Sequence, residues 1–377
     1  MRAHPKFTRR DWLLGTLAAG VTARQLALGA QVASKIPAGR LGMPGLMPGR
    51  VVAVTHPACL ADGKFQAAPI AQVMKRGMLE LTGAPDLPSA WRLFFERGDV
   101  VGIKVNPVGG PLVISCPEVL HEIIHGLESA GVRRNDIVVY DRYRDQFLKM
   151  GFDKWLPEGV RWSAATKDHD PVQQNIAGYD PEHYMDMAVT IPGYDVEEET
   201  ARRSYAAQFI TKEVNKLINL PVLKHHQSAG VTLALKNLSH GLVNNVARSH
   251  GSRSLNVCGA FIPAVVALPV IRQKSVLHIL DGMKGVYHGG PSARPQFVWE
   301  HRTVYFATDP VALDRIGWKE IERKRAAEGM KPIVEAPPDR FSTFVHCQPE
   351  HIEIAGALGL GVFDEKKIDL RRIDLKA

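Results

Sequence analysis

Lys104 sits among Val101, Ile103 and Val105 in a run that reads as a central β-strand, where an ammonium is costly to bury unless a carboxylate or a ligand meets it. Asp281 and Asp314 are the candidate partners, and a lysine–aspartate pair of this kind could equally be structural. If a ligand intervenes, Lys104 together with Lys224 favours a phosphate or a carboxylate. A lysine whose pKa is lowered by burial can also act as a base or as a Schiff-base amine. Lys104, Lys224 and Asp281 are therefore the candidate catalytic groups.

The densest polar segment is Leu217 to Leu238, which carries Lys224-His225-His226-Gln227-Ser228 and Lys236-Asn237. A strand from Lys216 to Leu223 delivers Lys224 to a loop, and a helix from about Ala229 to Leu242 begins near Ser228. The unpaired backbone N–H groups of that helix start would face the same place, which outlines an anion site. Lys236 and Asn237 lie about two turns further on. They join the site only if the helix flank lines the crevice, and otherwise belong to a solvated face. The expected ligand-binding set is Asn106, His225, Ser228, Lys236, Asn237 and Asp314. A competing set, His225, His226 and Asp281, could hold a divalent metal, with His240, His250 and His288 elsewhere. No H-E-x-x-H pattern or local Ser/His/Asp signature is present, and Gly289-Gly290-Pro291 reads as a turn.

The elements around these residues alternate between short β-branched runs and helical patterns, as in an α/β domain with a largely parallel sheet and flanking helices. Strands are expected at Val51–Thr55, Val100–Val105, Ile137–Tyr140, Lys216–Leu223, Val276–Leu280 and Thr303–Ala307. A helix opens at Pro117, with apolar residues at 119, 120, 123, 124 and 127 on one face, and another opens with an Asp309 cap and Pro310. Residues 144–199, rich in Pro, Gly, Asp and aromatics, read as an irregular insertion. The expected organisation is a leader over 1–33, a Gly/Pro connector over 34–50 and one large domain over 51–377. Ligands of open α/β sheets bind beyond the carboxyl ends of the strands. His56, Asn106 with Lys104, Asp141, Lys224 and Asp281 all fall at such ends.

At the amino terminus, Thr8-Arg9-Arg10-Asp11-Trp12-Leu13-Leu14 and the short apolar stretch to Ala23 resemble a twin-arginine export signal. That resemblance implies periplasmic localisation, the twin-arginine translocase as a partner, and passage in the folded state. The apolar run is too short for a permanent membrane span. The formal charge of +8 shrinks once the basic leader is removed, and the remainder is dispersed, which argues against a nucleic-acid partner. Cys59, Cys116, Cys258 and Cys347 form no C-x-x-C pair; they are either free thiols or disulfides of unassigned pairing.

The segments Gly102-Ile103-Lys104-Val105-Asn106, Leu217 to Asn237, Ile279-Leu280-Asp281-Gly282 with Gly289-Gly290-Pro291, and Asp309-Pro310-Val311-Ala312-Leu313-Asp314 resemble, in order, the family catalogued as domain of unknown function 362. The resemblance implies fold and motif identity and attaches no reaction. Some members look fused to cysteine-rich ferredoxin-type modules, which this sequence lacks. The expected function is an exported enzyme acting on a small phosphate- or carboxylate-bearing ligand at the sheet edge. The alternative is a non-catalytic periplasmic binding or accessory protein, metal-binding in one version, that serves a redox partner. No cofactor is specified beyond that divalent metal.

Overall fold

The structure, a computed structural model, describes residues 39–376. Ten strands form one mixed sheet: β1 (Arg50–Thr55), β2 (Val101–Lys104), β3 (Ile137–Tyr143), β4 (Arg161–Thr166), β5 (Lys216–Asn219), β6 (Val222–His226), β7 (Gly230–Thr232), β8 (Ser275–Val286), β9 (Val298–Ala307) and β10 (Asp369–Asp374). The order is β10-β1-β9-β8-β5-β2-β3-β4, with β6 beside β8 and β7 on β6. Only β9 and β7 run antiparallel to their neighbours, so the α/β expectation holds.

Successive residues of the strands enter opposite layers, the period-2 pattern of a sheet covered on both faces. Val51 and Ala53 join one apolar cluster while Val52 and Val54 join the other, and the same division separates Leu280 from Ile279 and Tyr305 from Val304. On one side lie α1 (Ala67–Thr82) and α2 (Pro117–Ser129), whose Ile70, Val73, Val119 and Ile123 are fully buried. The other side carries α3 (Ala234–Leu242), α4 (Cys258–Val266), α5 (Pro310–Ala327) and α6 (His351–Ala357). Asp309 caps α5 as its sequence indicates, accepting from Val311 and Ala312 N–H.

Three expectations need correction. The run Lys216–Leu223 is two strands, because Pro221 has no N–H to donate and interrupts the ladder. Before it, β5 pairs with both β2 and β8; after it, β6 pairs only with β8 and β7, so the sheet parts beyond Lys104. The helix expected from Ala229 starts five residues later, because Gly230, at φ +76°, turns the chain back so that residues 230–232 pair with β6 as β7. Finally, the first part of the region expected to be irregular contributes β4 to the sheet; its half-exposed edge position leaves little hydrophobic pattern to read. Residues 41–49 are docked rather than loose, with Met43 buried, Met47 N–H on Thr308 Oγ1 and Gly49 N–H on Asp309 Oδ2. The expected leader, residues 1–33, lies outside the described residues.

Candidate functional site

Where the sheet parts, a cavity of about 520 Å³ is lined by Lys104, Asn106, Asp141, Arg142, Lys224, His226, Lys236, Asn237, His240 and His250, among others. Lys104 comes from β2 and reaches Asp141 of β3 at 2.6 Å, with both side chains almost wholly buried. Register sets this pair: Lys104 stands opposite Tyr140 in the parallel ladder, one residue from Asp141. Neither of the carboxylates expected to partner Lys104 does so. The Lys104 ammonium also donates to Val105 O at 2.6 Å and lies 3.4 Å from Asn237 Oδ1. α3 can approach this closely because residue 241 is glycine; a Cβ there would fall 2.1 Å from Lys104 Cε.

An amide chain links the lysines. Asn106 Nδ2 donates to Asn237 Oδ1 at 3.0 Å, Lys224 Nζ donates to Asn106 Oδ1 at 2.7 Å, and Asn237 Nδ2 donates to Asn219 Oδ1 at 2.7 Å. Lys224 also donates to Val108 O. Its burial, aided by the nearby charges of Lys236 and Lys104 and opposed by Asp141 and Asp281, lowers its pKa to about 7. Burial lowers Lys236 to about 8. Lys236 and Asn237 thus line the crevice and do not form a solvated face, and among the described residues no acceptor engages Lys236 Nζ. Arg142, 3 % exposed, donates to Tyr179 Oη, Gln173 Oε1 and His240 O and to no carboxylate. Three lysines and an arginine therefore face one another across the cavity with Asp141 as the lining carboxylate, an electrostatic setting for an anion.

The remaining sequence-selected residues lie elsewhere. Asp281 is inside β8, not at its end, and accepts from Cys116 N–H at 2.6 Å and Met283 N–H at 2.8 Å. It thereby holds the start of α2, and burial raises its pKa to about 6. Asp314 accepts from Ala234 and Leu235 N–H at 2.7 and 2.9 Å. The helix start expected to receive an external anion is thus occupied by the chain's own carboxyl group. His56 caps the turn Pro57–Cys59.

Adjacent in a strand, His225 and His226 diverge. His225 Nδ1 accepts from Gly290 N–H, and its ring lies 5.4 Å from that of His288. His226 Nδ1 faces the N–H groups of Ser228 and Ala229 and the Ser228 hydroxyl, so its ring proton resides on Nε2. Ser228 serves by orienting His226. The expected metal set of His225, His226 and Asp281 does not converge. Among the described residues the convergent set is His240, His250 and Cys258, with one ligand atom each within 4.8 Å of the others. Sequence reasoning had set His240 and His250 aside and missed Arg142, which directly follows Asp141; both lie inside β3, which runs on to Tyr143 and does not end at Tyr140 as expected. All four cysteines are free. No helix of the described residues is long and apolar enough to cross a membrane.

The model of the family described as Domain of unknown function (DUF362) matches residues 101–319, more than half of the chain and all of the cavity wall, and the protein belongs to that family. No curated protein matches it. Among solved structures, a Thermotoga maritima protein aligns at 12 % identity and a TM-score of 0.38, over 71 % of this chain and 60 % of its own length. Loganic acid methyltransferase with SAH aligns at 10 % identity and a TM-score of 0.24, over 78 % of this chain and 69 % of its own. Neither likeness carries a functional argument.

Proposed function

We propose that this protein is an exported, periplasmic enzyme acting on a small phosphate- or carboxylate-bearing ligand in the cavity at the carboxyl edge of the sheet. The observation that carries the reading is the convergence of Lys104, Lys224, Lys236 and Arg142 on one cavity whose lining carboxylate, Asp141, is already bound to Lys104. Arg142 and Lys236 bind the anion, Asn106 and Asn237 hold the lysines in place, and Lys224, close to half-neutral near neutral pH, is the base or amine. Phosphate should raise the thermal stability of the protein by mass action, and Lys224→Ala should weaken that response more than Lys319→Ala, whose lysine pairs with Glu365 at the surface. Equal responses from two variants of native circular dichroism would dismiss the site.

A binding or accessory role is the second reading. It is favoured by the engagement of Asp281 and Asp314 with backbone N–H groups, which leaves Asp141 as the cavity's carboxylate. A bound ligand recovered chemically unchanged after incubation would mark this role.

The export proposal rests on Arg9 and Arg10 ahead of Leu13 to Ala23. Replacing both arginines with lysine should strand the precursor in the cytoplasm, since a route for unfolded chains needs basic charge but not this pair. Normal export of the double variant, or export without the twin-arginine translocase, would contradict the proposal.

A further inference from the structure

We infer that His240, His250 and Cys258 form a binding site for one zinc-like divalent cation in the wall of the anion cavity. Their donor atoms lie within 4.8 Å of one another. They also share a focus, the Ser249 hydroxyl, which is 3.0 Å from His240 Nε2, 2.7 Å from His250 Nδ1 and 3.8 Å from Cys258 Sγ. That oxygen has its own acceptor in Val246 O at 2.7 Å, so it can keep that bond while the two rings turn to a cation. Two imidazoles and a thiol are a borderline-soft donor set, suited to tetrahedral zinc rather than to calcium or magnesium.

Contraction from this spacing to metal–ligand lengths of about 2.0 to 2.3 Å requires the donors to close by roughly an ångström, within the reach of side-chain rotation. Binding displaces the Cys258 thiol proton to solvent and forms the sulfur–metal bond. The thiolate so formed offsets the repulsion from Lys236, which acts on all three groups, and from Arg142, which acts on His240. His240 and His250 both line the cavity. Three protein ligands with one position facing a cavity is the arrangement of a zinc site that receives water or a ligand, not of a closed structural one. The cluster shares a wall with the anion site but does not depend on it.

The test is titration of the metal-free full-length protein with cobalt(II) as a spectroscopic substitute for zinc. One equivalent should bind with thiolate-to-cobalt charge-transfer absorption, and zinc should displace it. Cys258→Ser should abolish that absorption. His240→Gln and His250→Gln should each weaken binding about 100-fold or more, since even outer partners of metal ligands are worth about 10- to 100-fold. His225→Gln, at a ring outside the cluster, should leave binding intact. Absence of stoichiometric binding to folded protein, or a thiolate band that survives Cys258→Ser, would overturn the site. Phosphate stabilisation of the Cys258→Ser protein reports separately on the lysine cavity.

Discussion

Replacing Lys104 with methionine should destabilise the folded protein by about 3 to 5 kcal/mol, the usual cost of leaving one member of a buried ion pair without its partner. Asp141 would remain in the cavity wall with its Oδ1 bond to Lys104 removed and only the Tyr143 N–H on Oδ2. Methionine retains much of the lysine stem's volume, so lost packing contributes little. Adding Asp141→Asn should restore a large part of the loss, because the uncompensated charge is then gone. Urea unfolding of the two single variants and the double variant measures both effects and the coupling between them. A Lys104→Met loss below about 1 kcal/mol, the range of an exposed pair, would mean that the 2.6 Å contact is not the buried pair described here.

The sheet was largely legible in the sequence because β-branched runs such as Val51–Val54 alternate between two fully buried faces. Lys104, Asn106, Lys224, Lys236 and Asn237 were all selected as site residues, and the cavity unites them. Strand-end position is local information, and so is the cost of an ammonium in an apolar run. What could not be read was pairing across the fold. Asp141 became the partner of Lys104 through parallel register, whereas Asp281 and Asp314 were drawn away to cap helices 165 and 80 residues distant in sequence. No local pattern announces a cap supplied from so far.

The same limit applies to the helix start near Ser228. A three-residue strand that folds back at Gly230 satisfies the backbone there, and Gly-Val-Thr is too short for any periodicity to separate it from the helical pattern that follows. His240, His250 and Cys258 meet because the chain between α3 and α4 folds into a short turn at Ala247–His250. Ser249 from that turn ties the two histidines together. None of these residues has a spacing that would have selected it alone.

Calorimetric titration with malonate across pH shows whether the buried lysines hold an anion in this cavity. Malonate is chosen because both its carboxyl groups are mostly ionised at pH 6 and fully so above pH 7, leaving the protein as the dominant titrating partner. Lys224, with its pKa lowered to about 7, is charged below that value and neutral above it. A bound dianion favours the charged form, so affinity is highest below pH 7 and declines as pH rises. If the ligand raises the Lys224 pKa by about one unit, affinity falls by about sevenfold between pH 6 and pH 8.5. The wild-type protein should show that decline, and Lys224→Ala should bind more weakly with a flatter profile. Malonate that fails to bind at pH 6, or binds Lys224→Ala with the wild-type affinity and the same pH dependence, would contradict anion binding by these lysines.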